Sequence, residues 1–169
     1  MIRIWWNMPS IYIDGDSCPV LAQILMVASE VQLPVFLVCD YTHSFDIEEV
    51  TILYCDKGRD AVDFILLQNI QKNDIVVTQD YGLAALCLSR QTYPISAHGV
   101  RYTPETINSM LYQRQRSALA RRHRQKSSHV RKRTKEDDEA FLAAFEKLCR
   151  YVQELKPNET DRPSTGAPR

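Results

Sequence analysis

The stretch Ile11-Tyr12-Ile13-Asp14-Gly15-Asp16, a short apolar run that stops on two aspartates, is the first of four such runs in the first half of the chain. Val35 to Cys39 runs into Asp40, Ile52 to Cys55 into Asp56, and Ile75-Val76-Val77-Thr78-Gln79 into Asp80. Short continuous apolar runs read as strands covered on both faces, and helical stretches separate them. The pattern predicts a parallel sheet with right-handed crossovers. The carboxyl ends of such strands share one edge, where open α/β folds place their ligands. Carboxylates crowded at that edge repel one another, and a hard divalent cation such as Mg²⁺ or Mn²⁺ relieves the repulsion.

Between the strands, residues 18–32 read as a helix with Pro19 in its first turn, where a missing N–H costs little, and Pro34 ends it. A short segment over residues 46–50 precedes the third strand, and Gly58 breaks the chain before a helix from about residue 60 to 70. The fourth strand is expected over residues 75–78, a helix over 82–90, and a weaker fifth strand over 93–97. From Pro104, at a helix N1 position, the pattern is helical through Ile107, Met110 and Leu111. Residues 125–133 have almost nothing to bury and are expected to be mobile or ordered by a partner. Thr134-Lys135-Glu136-Asp137 carries a capping-box signature for a last helix, from residue 135 to about 152. Its Phe141, Leu142, Phe145 and Leu148 form one stripe, expected to pack on the α/β body. The organisation read from this is one α/β domain over residues 8–153, its basic helical arm beginning at about residue 104, and a disordered tail over 154–169. Met8 stands directly before the first strand, so residues 1–7 read as an extension, either non-native or from an upstream start.

A length of 169 residues suits one domain with an appendage. Five cysteines, an odd number with no CxxC pair, argue against a disulfide framework or a zinc knuckle and for a reducing cytoplasm. Cys39, Cys55 and Cys87 lie inside apolar runs, where a thiol acts as a small buried hydrophobe. No run is long enough for a membrane span, and the first residues are too short for a secretory leader. The formal net charge is zero, but its distribution is not even. Between Arg114 and Lys135 lie ten basic residues and no acid, leaving 11 basic against 21 acidic residues elsewhere. The chain has an acidic body and a basic arm.

Each aspartate has a local reading as well: a carboxylate at a strand-to-helix junction caps the helix and meets the positive end of its dipole. Capping alone does not account for the clustering. Asp14 and Asp16 lie two apart on one turn, Asp60 and Asp63 lie three apart on one expected helix face, and Asp80 adds a fifth acid from a strand able to neighbour the first.

The run Tyr12-Ile13-Asp14-Gly15-Asp16-Ser17-Cys18-Pro19-Val20, then Lys57-Gly58-Arg59-Asp60-Ala61-Val62-Asp63, then Val76-Val77-Thr78-Gln79-Asp80-Tyr81-Gly82-Leu83-Ala84 resembles the YaiI/YqxD family (UPF0178, DUF188), a branch of the PIN-like nuclease superfamily. The likeness continues through His98-Gly99, Tyr102-Thr103, Ile107 and Arg114 to Arg133-Thr134-Lys135-Glu136-Asp137-Asp138. It implies a parallel sheet ordered 3-2-1-4-5 with acids at the carboxyl ends of its strands. Carried over by motif, Asp14 is the first-strand metal ligand, Asp63 the central-helix acid and Asp80 the acid after the fourth strand. These three are the implied catalytic residues, with Asp16 and Asp60 as supporting or second-metal ligands. One or two Mg²⁺ or Mn²⁺ ions would then serve a phosphodiesterase acting on RNA. The usual nuclease quartet has its acids at other relative positions, so Asp60 and Asp63 stand as alternatives for the residue facing the metal. PIN-like domains often pair, which makes a homodimer an expectation of the same kind.

Other readings are weaker. Asp14-x-Asp16 after an apolar strand also resembles the nucleophile motif of DxD-type phosphatases, but the Lys and further acidic pair which that chemistry needs are not convincing here. Cys39 with His43, or Cys55 with Asp56, offers no four-ligand zinc spacing. His43 and His98 fall in loops near the expected edge and read first as solvated. Thr78 reads equally as a partner of a ligand carboxylate or as a strand threonine satisfying its own backbone. The basic arm, with Arg114, Arg121, Arg122, Arg124, Arg131, Lys132 and Arg133, lacks the interleaved acids of a salt-bridged surface helix. Contact with RNA phosphates explains it, while the absence of stacking aromatics argues against sequence-specific readout. A non-catalytic RNA-binding or ribosome-associated protein is the rival to the nuclease.

Overall fold

Strand β1 (Ile11–Asp14) is the centre of the molecule, pairing in parallel with β2 (Val35–Asp40) on one side and β4 (Ile75–Val77) on the other. Strands β3 (Thr51–Cys55) and β5 (Tyr93–Ile95) flank these in turn, giving a parallel sheet ordered β3-β2-β1-β4-β5. The computed structural model describes residues 8–15, 18–42, 47–58, 60–123 and 132–155, with backbone alone at 117 and 120–123. The expected mobile segment lies mostly outside the described residues, as does nearly all of the expected tail. Ile11, Tyr12 and Ile13 are almost wholly buried, the condition that an unbroken apolar strand satisfies only with helices on both faces. The edge strand β3 leaves Thr51 and Tyr54 exposed.

On one face, α1 (Leu21–Val31) and α5 (Lys135–Glu154) cover Ile11, Ile13, Leu37, Ile75, Val77 and Ile95. On the other, α2 (Ala61–Asn69) and α3 (Tyr81–Ser89) cover Tyr12, Val38 and Val76. Helix α4 (Pro104–His123) docks through Ile107, which joins Ala84 and Tyr102 in a smaller cluster. The capping box of α5 is formed: the Asp137 N–H donates to Thr134 Oγ1 and the Thr134 N–H to Asp137 Oδ2. Phe141, Phe145 and Leu148 are buried in the main core with Leu142 packed at its margin, so the stripe does pack on the α/β body. At the far end of α5, Gln153 Nε2 donates to the Val31 carbonyl at the close of α1.

Element boundaries differ from the sequence expectation where loops decide them. Helix α1 begins at Leu21 because residues 19–20 are used in a turn, and it ends with Gln32 left-handed at φ 56°, its N–H returned to the Ala28 carbonyl. Strand β2 runs on to Asp40 because Cys39 and Asp40 pair with Tyr54 and Cys55. Strand β5 stops at Ile95, where a turn is closed by the Ser96 N–H to Val100 and the Gly99 N–H to Ser96.

That turn carries the packing of α5. Gly99 sits at φ 77°, and a Cβ there would lie 2.9 Å from the Ala140 carbonyl oxygen and 3.1 Å from Phe141 Cα. Both obstacles are helix backbone, which cannot swing aside. Gly99→Ala is therefore expected to destabilise the fold by about 2–4 kcal/mol, combining left-handed strain with overpacking. Urea unfolding followed by circular dichroism checks this, and an unchanged midpoint would contradict the docking of α5 on this turn.

Candidate functional site

From β1 the chain leaves through α1 toward β2, whereas from β4 it leaves through α3 toward β5 on the opposite side. The order of the sheet thus reverses between β1 and β4, and a crevice is expected beyond the carboxyl ends of those two strands. Asp14 closes β1 and Thr78 follows β4 directly. Thr78 Oγ1 donates to Asp14 Oδ2 at 2.9 Å and accepts from the Asp80 N–H at 3.1 Å. The Thr78 carbonyl accepts from Tyr102 Oη at 3.3 Å. A buried hydroxyl therefore ties the loop after β1 to the loop after β4. Gly15 is required next to Asp14, because a Cβ there would lie 2.5 Å from the Val38 carbonyl oxygen. The turn presses so closely on β2 that no side chain fits.

Asp63 and Asp60 are separated by the backbone. Asp60 precedes α2 in a left-handed conformation, φ 66°, with its carboxylate exposed and making no cap bond. The three-residue spacing therefore does not put the pair on one helix face. Asp63 is half-buried in the first turn of α2. The buried Cys87 thiol of α3 is pushed up to about 12 by burial first, then by the charge of Asp63, with Asp14 adding to it against a hydrogen bond from Thr92. Two carboxylates, one from β1 and one from α2, thus act on the same buried thiol.

Asp80 serves as the cap of α3, its Oδ1 accepting from the Gly82 N–H at 2.6 Å and the Leu83 N–H at 3.2 Å. The same oxygen lies 3.5 Å from Arg114 Nη1, and the Arg114 guanidinium stands 5.8 Å from the centre of the Tyr81 ring. Tyr81 meets Tyr102 edge-on at 5.7 Å. Tyr102 is pushed up to about 12, chiefly by burial, with Tyr81 and Asp80 adding to it and a Ser96 hydrogen bond and Arg114 opposing.

Local roles account for other acids. Asp40 accepts from the Thr42 N–H at 2.8 Å and from the Thr42 hydroxyl, and Asp56 is exposed. Asp74, buried at the opposite end of the sheet, accepts from the Ser10 and Gln71 N–H groups at 2.8 and 2.7 Å. An all-carboxylate set suits a hard cation rather than a soft one. Among the described residues, however, no three His, Cys, Asp or Glu side chains are gathered so as to hold one ion. Asp16 lies outside the described residues, and of the other expected ligands Asp14 and Asp63 are partly buried while Asp60 is exposed.

In the basic arm, Arg114 and Arg116 lie exposed on α4, and the backbones of Arg121 and Arg122 continue that helix. Arg124 and Arg131 lie outside the described residues. Lys132 is exposed, but Arg133 is mostly buried, its Nε donating to Asp138 and its Nη2 to the Asp137 carbonyl at 3.3 Å. The Cys18 thiol, pushed up to about 11 by burial and by Asp14, is drawn the other way by its hydrogen bond at Val20 and by Arg133. Arg133 is thus an anchor at the start of α5. His98 is exposed, while Cys39 and Cys55 are buried with the Cys55 thiol donating to the Cys39 carbonyl. Tyr102 and Arg114 join the site only through tertiary contact, a role no local pattern announces. No helix of the described residues is long and apolar enough to cross a membrane.

Over residues 12–151 the chain matches the DUF188 family, described as "Uncharacterized BCR, YaiI/YqxD family". A UPF0178 protein of Clostridium acetobutylicum is 43% identical over 141 residues, covering 82% of this chain and 95% of the relative. A UPF0178 protein of Bacillus anthracis is 38% identical over 141 residues, 82% of this chain and 97% of the relative. One from Bacillus cereus is 37% identical over 144 residues, 83% and 99% of the two chains. No solved structure matches it. The matched span runs from β1 through α5, taking in Asp14, Asp63, Thr78, Asp80 and Arg114, and the chain belongs to the YaiI/YqxD (UPF0178, DUF188) family.

Proposed function

We propose that this protein is a Mg²⁺- or Mn²⁺-dependent phosphodiesterase acting on RNA. The observation that carries the reading is the reversal of strand order between β1 and β4, with Asp14 at the carboxyl end of β1 held by Thr78 just after β4. Asp14 and Asp63, with Asp16 two residues along the chain, would hold the ion. When bound, such an ion supplies charge neutralisation at the phosphate and an activated water. The chain's own part is orientation. Thr78 holds one Asp14 oxygen by hydrogen bonding, which orients the carboxylate. The likeness to PIN-like nucleases and the one-signed charge of the arm both support a polyanionic substrate.

A second reading, an RNA-binding protein that keeps the fold without cleaving, is favoured by one observation: Asp80 Oδ1 is already engaged by the α3 backbone and Arg114. Mn²⁺ titration and an RNA cleavage assay on one preparation separate the two. Cleavage dependent on Mn²⁺ and lost in Asp14→Asn supports the enzyme. RNA bound but left intact while Mn²⁺ binds would establish the second reading instead. Asp14→Asn is also expected to raise the melting temperature, because it relieves like-charge repulsion at the sheet edge. Full Mn²⁺ affinity in that variant would remove Asp14 from the ligand set.

Thr78 gives an independent check. Thr78→Val keeps the shape but deletes a donor and an acceptor, so it is expected to weaken Mn²⁺ binding about tenfold and to cost about 1–3 kcal/mol of stability through the unsatisfied groups left behind. Thr78→Ser keeps the hydroxyl and is expected to restore both. Equal Mn²⁺ affinity in the valine and serine variants would show that the hydroxyl does not orient the ligand.

A further inference from the structure

Asp80 does more than a cap requires. Two α3 N–H groups are satisfied by its Oδ1, a task that Ser, Thr or Asn performs as well without a charge. Its negative charge has a second use, 3.5 Å from an arginine 34 residues further along the chain. Both side chains are about half exposed, 53% for Arg114 and 46% for Asp80, and an exposed pair contributes little to stability. What the pair fixes is position. The guanidinium is held from one side by the carboxylate and from another by the face of Tyr81, 5.8 Å away. Tyr81 is itself braced by Tyr102, whose hydroxyl donates to the carbonyl of Thr78, the residue whose hydroxyl donates to Asp14. An unbroken series of contacts thus links the Arg114 fork to the crevice between β1 and β4.

We propose that Arg114 binds a backbone phosphate of the RNA beside the crevice and that Asp80 is its positioning residue rather than a metal ligand. The inference rests on the RNA reading above. The contact with Asp80 engages Nη1 of a planar fork that carries five donors, a geometry matched to phosphate oxygens. Pairing also offsets the charge of Asp80, which would otherwise repel a polyanion at the edge where Asp14 and Asp63 already lie. Ring stacking and the rigid fork make Arg rather than Lys the suitable residue.

The test is fluorescence anisotropy of a labelled twelve-nucleotide oligouridylate with the full chain in EDTA, across a range of salt, beside Mn²⁺ titration without RNA. Arg114→Ala is expected to weaken RNA binding about tenfold, the loss of one charge-assisted hydrogen bond. It should also flatten the dependence of log K on log salt by about 0.7, one single-strand phosphate contact. Arg114→Lys should keep the slope and still lose affinity. Asp80→Asn and Asp80→Ser retain the cap, so α3 stays folded, and both are expected to weaken RNA binding although each removes a negative charge. Either change combined with Arg114→Ala should add no further loss. Both Asp80 variants should bind Mn²⁺ as the wild type does. If removing the Asp80 charge leaves RNA binding unchanged or tightens it, or if Mn²⁺ binding is lost, the positioning role is overturned. An unchanged salt slope in Arg114→Ala overturns the phosphate contact while leaving the RNA reading in place. Absence of RNA binding by the wild-type chain defeats that reading and this inference with it.

Discussion

Strand β1 is hydrogen-bonded on both sides and covered on both faces, and that confinement sets the position of everything at the candidate site. Ile11 and Ile13 face α1 and α5, and Tyr12 faces α2 and α3, stacking on Phe36 at 4.9 Å and donating its hydroxyl to the Asn69 carbonyl. A strand held in this way has no freedom to slip, because a one-residue shift would either bring Asp14 into the core or carry Ile13 to the sheet edge. Asp14 is half-exposed because it is the first residue past that confinement. Its neighbour Gly15 then takes a path so close to the Val38 carbonyl that the turn is fixed by sterics alone.

Acids at one sheet edge cost stability unless each is given a partner. Here the relief is distributed. Asp14 receives a hydroxyl from Thr78, Asp80 receives two helix N–H groups and a guanidinium, and Asp40 receives the backbone and side chain of Thr42. These are different solutions with different consequences. A carboxylate satisfied by a helix terminus, as Asp80 is, is committed to the fold, whereas the hydroxyl on Asp14 ties the end of β1 to the loop after β4. Burial dominates the raised thiol of Cys87, and the charges of Asp63 and Asp14 add to the same effect.

What was legible in the sequence is what local chemistry determines. β1 and β3 could be bounded by their apolar runs, α5 by Thr134 and Asp137, and the buried stripe of Phe141, Phe145 and Leu148 by its spacing, since each depends on residues within a few positions. The strand order came from resemblance to a family, and the pairing of β1 with β4 agrees with it. The left-handed backbone at Asp60 was not legible, because nothing in Gly58-Arg59-Asp60 announces that the aspartate stands outside the helix rather than on its face. Neither was the end of β2, which is set by β3 offering partners to Cys39 and Asp40. The sequence groups Arg133 with the arm's other bases as a contact for RNA phosphates, yet it is folded back on Asp138 and the Asp137 carbonyl, beside the capping box of α5.

The basic segment is therefore not an appendage hung from one end. Helix α4 enters it docked by Ile107 against Ala84 and Tyr102, and α5 leaves it as part of the main core. Arg114 touches Asp80 after β4, and Arg133 acts on Cys18, as Asp14 does, after β1. An acidic edge alone would repel a polyanion over about a Debye length, ~8 Å at physiological salt. Arg114, paired with Asp80, offsets part of that repulsion locally, whatever the net charge of the chain. The zero net charge thus conceals an uneven distribution, and the packing of α4 is what sets Arg114 beside Asp80.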